Sequence, residues 1–286
     1  MEIIKNYHDD LVLRRSFNEL AETTFGLNFE NWYQNGFWGD NYIPYSVVEN
    51  GRVVANVSVN RTDLLIDGRL QKVYQLGTVM TAEDYRNRGY SRAIMEKIEE
   101  DLKDADGVYL FANDSVLEFY PKFSFRQGTE YIFSKTVRQE GPCRMEKVAM
   151  DGPEGWGRLQ KVMETNRFHG ACDMLGNSGL IFFYVSQFMK DCVYYDKELD
   201  AHVIAELEDG VLLLHNIFST RDITLEDILQ AFGAEVTQVS LGFTPADASG
   251  FQCQRLQEED CTFFVKGNVF QDFADKRLRI PSLSHA

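Results

Sequence analysis

The stretch EDYRNRGYSRAIMEKIEEDL, residues 83–102, decides how the first half of this chain folds. A single glycine, Gly89, stands in an arginine-rich loop, and an amphipathic pattern starts directly after it. Ile94, Ile98 and Leu102 recur at helical spacing with charged residues between them, which predicts a helix with one buried face. The loop before this helix is therefore rich in positive charge, although the chain as a whole is acidic.

A helix that begins at a glycine turn offers a place where an anion binds. Its first N–H groups have no partner within the helix, and the helix dipole is positive at that end. Gly89 permits a close approach of the backbone, and Arg86, Arg88 and Arg92 would add donors suited to phosphate. The alternative is a capped surface helix with solvated arginines, and this short pattern taken alone would favour that alternative.

The elements on either side predict a mixed sheet with helices on its faces. A first helix is expected over Leu11–Thr24, and Asn50-Gly51 and Asp67-Gly68 are hairpin turn signals between β-rich runs. The runs KVYQLGTVM and GVYLFAN are expected as strands on either side of the helix in residues 83–102, and Asp114 as the cap of a short helix. The fold class is therefore α+β / α/β: a mixed, mostly antiparallel sheet with one strand–helix–strand crossover.

The second half partly repeats this order. A hairpin on Asp209-Gly210 is followed by the helix-like run TLEDILQAF and by further strands, but the loop before that helix has neither glycine nor an arginine cluster. We expect a degenerate copy that serves packing and pocket-building. The predicted domains are 1–137 and 161–286, joined by the Gly- and Pro-containing linker 138–160. Within this linker we interpret the run GPEGWG as a connector and not as a phosphate-binding loop.

Composition narrows the function classes. Lys and Arg total 29 against 44 Asp and Glu, a net charge of −15, which argues against a nucleic-acid binder and favours cationic partners. No apolar run of 18 residues and no signal peptide are found, so we expect a cytoplasmic protein that does not span a membrane. The five cysteines form no CxxC pair, which argues against disulfides and a metal site.

Two motifs carry a resemblance to a known family. The segment VMTAEDYRNRGYSRAIM resembles the acyl-CoA-binding motif of the GNAT N-acetyltransferase superfamily, a strand followed by Arg/Gln-x-x-Gly-x-Gly/Ala at the start of a helix. Ser91 stands at its last position, a small departure. Downstream, FANDSVLEFYPKFSF resembles the family's Phe-Tyr-x-Lys-x-Gly-Phe segment, with Ser124 in place of the glycine. With its degenerate second half, the chain is similar to the tandem enhanced-intracellular-survival acetyltransferases.

The resemblance implies acetyl-CoA as acyl donor and a role for particular residues. It places Tyr120 at the position of the general acid. In survival-type relatives a terminal carboxylate reaches the active site, and here that carboxylate would be the one of Ala286. Ile280, Pro281 and Leu283 would anchor the tail that carries it. The alternative is a purely structural role for these residues: Val79 and Met80 would belong to the core of the sheet, and Tyr120 would pack against neighbouring aromatic rings. The implied CoA-binding residues are Val79, Met80, Thr81, Arg86, Asn87, Arg88, Gly89, Tyr90, Ser91, Arg92, Asn113 and Ser115.

The implied reaction is direct transfer of acetyl to a primary amine. An alkylamine costs about 4–5 kcal/mol to deprotonate at pH 7, so a base, a water chain or a desolvating pocket must help. The acidity of the chain and its aromatic residues suit a cationic, partly apolar amine: a polyamine, an aminoglycoside-like molecule or a peptide amine. An aromatic cluster expected to contribute to the acceptor site, or else to the core, comprises Phe25, Phe29, Trp32, Tyr33, Phe37 and Trp38.

Three alternatives stay open at this point. The chain could bind or sense acyl-CoA without turnover, transfer a longer acyl group, or be an interaction protein with no CoA site.

Overall fold

The computed structural model describes residues 2–285 and confirms the predicted class, with mostly antiparallel sheets flanked by helices. The helices are α1 Leu11–Phe25, α2 Glu30–Gln34, α3 Tyr90–Asp101, α4 Pro153–Glu164, α5 Ser178–Gln187 and α6 Leu225–Phe232. The strands of the first half are β1 Ile3–Lys5, β2 Tyr42–Glu49, β3 Arg52–Arg61, β4 Leu64–Ile66, β5 Arg69–Gln71, β6 Val73–Thr81, β7 Gly107–Ala112, β8 Arg126–Gln127 and β9 Tyr131–Thr136. Those of the second half are β10 Glu146–Lys147, β11 Cys172–Met174, β12 Val193–Asp196, β13 Ala201–Glu208, β14 Val211–Ser219, β15 Gln238–Leu241, β16 Gln252–Arg255 and β17 Thr262–Lys266.

The first large sheet has the order β1-β2-β3-β6-β7-β17-β8. Its neighbours run antiparallel except β6 and β7, which are parallel and joined by α3. Ile94 and Ile98 on α3 are fully buried against this sheet and Leu102 is partly buried, so the apolar face predicted for the helix is confirmed. This crossover brings the arginine-rich loop to the end of β6.

The second large sheet repeats the same unit. Its order is β10-β12-β13-β14-β15-β9-β16, and its parallel pair, β14 and β15, is joined by α6. Thr224 and Asp227 close a capping box at the start of α6, which satisfies N–H groups that α3 leaves open. The second crossover helix therefore begins with side-chain partners in place of a free anion site.

Three predicted hairpin turns are confirmed by their backbone angles. Asn50-Gly51, Asp67-Gly68 and Asp209-Gly210 each have positive φ at both residues, as a two-residue turn between twisted strands requires. They join β2 to β3, β4 to β5 and β13 to β14.

The two large sheets exchange strands. β9 lies before residue 137 but pairs with β15 and β16 in the second sheet. β17 comes from the second half but pairs with β7 and β8 in the first sheet. The division into 1–137 and 161–286 stays a prediction, and the strand pairing crosses it, because side-chain periodicity predicts a strand without naming its partner.

The passage 138–160 is not the plain linker that we expected. It contains β10 and the start of α4, whose first turn includes Pro153. Proline has no N–H, but at this position an N–H would have no partner within the helix, so no hydrogen bond is lost. Leu159 and Val162 bury the inner face of α4. A Cβ on Gly155 would lie 2.1 Å from the carbonyl oxygen of Ala149, so this glycine permits close packing and does not mark a flexible connector.

Candidate active site

A cleft opens in the first sheet where its two parallel strands separate. β6 pairs with β7 from Val73 to Leu76 and then continues to Thr81 against β3. The register of β3 against β6 shifts near Thr78, whose φ of 47° marks a bulge. Beyond it, β6, the end of β7 and the start of α3 enclose a cavity of about 770 Å³.

Side-chain hydrogen bonds hold the bulge in place. The Tyr42 hydroxyl and Thr78 Oγ1 lie 2.5 Å apart, and the Asn56 amide donates to the carbonyl oxygen of Thr78 at 2.8 Å. Asn56 is fully buried and also contacts Ser46 and Ser58. The widened part of β6 is therefore fixed by buried polar groups of β2 and β3.

The predicted site residues that the structure describes all line this one cleft. They are Val79, Met80, Thr81, Arg86, Asn87, Arg88, Gly89, Tyr90, Ser91, Arg92, Asn113, Ser115 and Tyr120. Ala286, the predicted terminal carboxylate, lies outside the described residues.

The start of α3 has the geometry of an anion-binding nest. Asn87 and Gly89 adopt left-handed backbone conformations, with φ of 61° and 80°, and no side chain caps the helix. The main-chain N–H groups of residues 87–92 have no acceptor within residues 2–285. Successive free donors at a positive helix end form a site for an anion.

The three arginines of the loop differ in what they contact. Arg86 Nε donates to the carbonyl oxygen of Thr81 at 3.3 Å, so this side chain also braces the loop. Arg88 donates to the carbonyl oxygen of Asp84 at 2.6 Å, and its guanidinium lies 4.7 Å from the centre of the Tyr85 ring. Arg92 is exposed on the first turn of α3. Two of the three cations therefore shape the loop as well as charging it.

Tyr120 lines the cleft with 3% of its surface exposed. Its ring packs on Phe119, Phe125 and Phe264, the last contributed by β17 from the second half. Burial raises the pKa of Tyr120 to about 12, so the phenol is neutral throughout the physiological range. Packing and a chemical role are compatible for this residue.

Asn113 and Ser115 stand at the end of β7, on the side of the cleft opposite β6. The side-chain amide of Asn113 donates to Asp260 Oδ2 at 2.8 Å, and the main-chain N–H of Asp114 donates to Asp260 Oδ1 at 2.6 Å. These bonds lower the pKa of Asp260. The helix cap expected at Asp114 is wrong: Asp114 begins a short 3-10 turn that has no side-chain cap, and its own N–H is taken by Asp260.

A second, smaller cavity of about 230 Å³ adjoins the cleft, and Thr78 and Phe111 belong to the walls of both. Of the aromatic residues expected near an acceptor site, Phe29 and Trp32 line this cavity and Phe25 lines the cleft. The remaining lining residues are Leu27, Tyr42, Gln75, Leu180, Phe183, Tyr184 and His285. Tyr33, Phe37 and Trp38 lie outside both walls and pack in the surrounding cores.

The last described residues reach this second cavity. The expected anchors Ile280, Pro281 and Leu283 are buried. Tyr109 donates to the carbonyl oxygen of Ser284 at 2.7 Å, and the His285 ring stacks on Phe111 with ring centres 3.7 Å apart.

A cluster of ligand-type side chains at the same end of the sheet is absent from the sequence-based expectations. Glu258, Cys261 and His285 place one potential ligand atom each within 4.8 Å of one another. Glu258 and Cys261 are three residues apart, but His285 lies 24 residues further along the chain, so the sequence gave no signal for this cluster. Burial raises the pKa of the Cys261 thiol to about 12 and lowers the pKa of His285 to about 3, so Cys261 is a protonated thiol here and not a ready thiolate ligand or nucleophile.

Comparisons with known proteins agree with this geometry. Residues 13–128 match the family model of the acetyltransferase (GNAT) domain. A probable N-acyltransferase from Enterococcus faecalis V583 superposes with a TM-score of 0.64 at 13% identity, over 93% of this chain and 71% of that one. A GCN5-related N-acetyltransferase from Kribbella flavida superposes with a TM-score of 0.56 at 17% identity, over 92% of this chain and 70% of that one. Eis1 from Mycobacterium abscessus superposes with a TM-score of 0.55 at 13% identity, over 92% of this chain and 73% of that one.

These similarities define the fold of the protein. At such low identities the superpositions show a shared fold, and the family match covers the part of the chain that contains the cleft. Residues 13–128 are therefore similar in sequence to a GNAT acetyltransferase domain, and the chain shares the fold of the three superposed proteins. The resemblance to the survival-type proteins is confirmed at the level of the fold.

The search of the curated proteins finds no match. Within residues 2–285, no helix combines the length and the apolar character needed to cross a membrane.

Proposed function

We propose that this protein transfers the acetyl group of acetyl-CoA to the primary amine of a small molecule or peptide. The observation that carries the proposal is the single cleft of about 770 Å³, which gathers the anion nest, the free end of β6 and Tyr120. An acyltransferase needs these three parts in a row, because the donor has a charged end, a long arm and a reactive thioester.

The chain fits each part of the donor in turn. The free N–H groups of residues 87–92 would bind the pyrophosphate, with Arg92 adding charge. The β6 backbone at Val79, Met80 and Thr81 would bind the amide groups of the arm as an additional strand does. Asn113 and Ser115 would face the arm from the other side of the cleft.

The reaction joins the amine nitrogen to the acetyl carbon and breaks the carbon–sulfur bond. Acetyl-CoA supplies the activated acetyl group as a thioester. The amine must arrive unprotonated or lose a proton, and the leaving sulfur must gain one. Tyr120 would donate a hydrogen bond to the sulfur as negative charge develops on it, and the proton that the amine nitrogen loses would then convert the thiolate to a thiol. A buried neutral phenol suits this role, because it keeps its proton when no thiolate is present.

Thermal unfolding with and without acetyl-CoA tests the cofactor site. Ligand at 100 times its Kd adds about 2.7 kcal/mol to the free energy of unfolding. We expect this stabilisation in the wild type and its loss in Gly89→Glu, which places a carboxylate in the nest. Gly250→Glu is the matched control, because Gly250 has a similar φ of 78°, open space at its Cβ and an exposed position outside the cleft. Equal stabilisation of all three proteins would contradict the site.

A further inference from the structure

The second cavity is placed to receive the acceptor of the reaction. It begins where β6 bulges at Thr78 and shares Phe111 with the cleft. The thioester of a donor that runs along β6 toward Tyr120 would pass this shared wall. A molecule in the second cavity would therefore meet the acetyl group from the side opposite the anion nest.

The cavity walls are apolar and buried. Leu180, Phe29 and Trp32 are each no more than 3% exposed, and Phe183 stacks on Phe29 with ring centres 5.2 Å apart. A cavity of about 150 Å³ with such walls is enough to hold a benzene ring. The volume of about 230 Å³ therefore admits one aromatic ring with a short alkyl arm.

Several polar side chains of the wall already have partners inside the protein. The Tyr42 hydroxyl pairs with Thr78, and the Trp32 ring nitrogen donates to the carbonyl oxygen of Gly179 at 2.7 Å. The Tyr184 hydroxyl donates to the carbonyl oxygen of His285. These groups are satisfied without a ligand.

Two polar atoms of the wall lack a partner within residues 2–285: Gln75 Oε1 and His285 Nε2. Gln75 is 1% exposed, so its amide oxygen is a buried acceptor that costs free energy while unpaired. Burial keeps His285 neutral, because its pKa is lowered to about 3. An N–H donor on a ligand would satisfy the Gln75 oxygen.

No carboxylate belongs to the described wall of this cavity. An ammonium ion would lose its hydration there and gain no counter-charge from the described wall, so these residues lower the pKa of a bound amine. The amine is then held neutral, with its lone pair free to attack and its N–H donated to Gln75. Desolvation thereby supplies part of the deprotonation that the reaction needs.

We propose that this cavity is the acceptor site and that it selects an arylalkylamine, a single aromatic ring on a short chain ending in a primary amine. The ring fills the apolar walls, and Gln75 Oε1 accepts a hydrogen bond from the amine. This inference rests on the proposed acetyl transfer. The sequence suggested a cationic acceptor, whereas the cavity favours an apolar amine over polyamines and aminoglycosides.

Acetylation of three amines at saturating acetyl-CoA tests the inference. For 2-phenylethylamine we expect kcat/KM to exceed that for ethylamine by about 30-fold or more, since burial of the ring contributes to binding in the transition state. Spermidine, with several ammonium groups, should be the poorest of the three.

Two variants connect this preference to the cavity. Gln75→Leu removes the acceptor oxygen and should lower kcat/KM for 2-phenylethylamine by about tenfold with KM for acetyl-CoA unchanged. Gln254→Leu, at an exposed glutamine of β16, is its control. Leu27→Trp fills part of the cavity from a half-buried loop position, and its thermal unfolding is compared with that of the wild type to check that it folds. It should lower kcat/KM for 2-phenylethylamine about tenfold more than kcat/KM for ethylamine, because only the larger amine needs the filled space.

The outcomes separate the inference from the function beneath it. Acetylation that favours spermidine, or that treats ethylamine and 2-phenylethylamine alike, overturns the acceptor class and leaves the acetyl transfer standing. An unchanged preference in Leu27→Trp likewise overturns the location. Failure to acetylate any of the three amines, together with no thermal stabilisation by acetyl-CoA, overturns the proposed function and the inference with it.

Discussion

In the proposed reaction, the buried phenol of Tyr120 would stabilise the leaving sulfur. An ordinary thiol has a pKa near 8.5, whereas the pKa of Tyr120 is raised to about 12. Complete proton transfer from the phenol to a thiolate is therefore uphill, and a hydrogen bond that strengthens as charge develops is the favourable arrangement. At the residue scale, the proposed mechanism therefore uses the neutral O–H group of Tyr120 as a hydrogen-bond donor to the sulfur.

Tyr120→Phe tests this role with little change of packing. We expect kcat to fall about 100-fold, because one donor to the developing charge is removed, while KM for acetyl-CoA stays within about twofold, because the donor is bound elsewhere in the cleft. Steady-state kinetics with 2-phenylethylamine measures both. Tyr85→Phe, which alters a phenol of the same cleft that lies under the Arg88 guanidinium, should leave kcat unchanged.

The same experiment addresses the non-catalytic alternative. Full activity in Tyr120→Phe would remove the phenol from the mechanism. A wild type that is stabilised by acetyl-CoA but acetylates no amine in a broad panel would instead indicate a CoA-binding protein without turnover.

At the scale of the element, the bulge in β6 opens the cleft and is held by hydrogen bonds to Thr78. Removing one of these bonds should lower the stability of the protein. Thr78→Val keeps the β-branched shape but leaves the buried Tyr42 hydroxyl without Thr78 Oγ1, 2.5 Å away in the wild type. We expect the free energy of unfolding to fall by about 1–3 kcal/mol. Urea denaturation measures the change.

A double-mutant cycle distinguishes the lost hydrogen bond from a packing effect. Tyr42→Phe in the Thr78→Val background removes both polar partners, so it should recover most of the lost stability. Additive losses in the double variant would show that the hydrogen bond is not what holds the bulge.

Short-range features of these elements could be read from the sequence. The arginine-rich loop, the buried face of α3 and the three hairpin turns depend on residues within a few positions of one another, and the structure has them as predicted. The failure of the cap expected at Asp114 could not be foreseen, because the N–H of Asp114 is taken by Asp260, 146 residues away. Gln75 and the second cavity were missed for the same reason: their partners come from distant segments.

At the scale of the whole molecule, the exchange of β9 and β17 makes each sheet depend on both halves of the chain. Phe264 on β17 packs against Tyr120 in the core of the first sheet. The fragment 1–137 would lack β17 and would carry β9 without β15 or β16. Although its sequence contains both motifs, it could not complete the sheet that holds the cleft.

We therefore expect fragment 1–137 not to unfold cooperatively and not to be stabilised by acetyl-CoA. The control is a protein made as two pieces, 1–248 and 249–286, which is divided in an exposed loop and retains every strand of both sheets. This two-piece protein should keep its thermal response to acetyl-CoA. A fragment 1–137 that folds and binds the ligand by itself would show that β17 is dispensable.

A buried carboxyl group at the junction of the sheets gives the whole protein a pH dependence. Glu130 is 5% exposed, and its side chain accepts the Ile280 N–H at 2.7 Å. Burial raises the pKa of Glu130 to about 8 from its ordinary value of 4.5, although the Ile280 bond and the charge of Arg279 oppose the rise. The folded protein thus holds a proton that the unfolded chain releases above about pH 4.5.

The sign of the effect follows from proton binding. Between these two pKa values the folded state binds more protons, so this group's contribution to the free energy of unfolding falls as the pH rises. The limiting slope is about 1.4 kcal/mol per pH unit between pH 5 and pH 8, and the contribution is lost above the folded-state pKa. Glu130→Gln remains neutral and can still accept the Ile280 N–H, so it should lack this slope.

Denaturation of both proteins at several pH values between 5 and 8 measures the difference. His202, His215 and His285 have lowered pKa values and contribute a slope of the opposite sign below about pH 6.5, so the comparison between the two proteins at each pH is the informative quantity. We expect Glu130→Gln to gain stability relative to the wild type as the pH rises to 8. Parallel curves for the two proteins would mean that Glu130 is already ionised in the folded state, with Arg279 as its counter-charge at the junction.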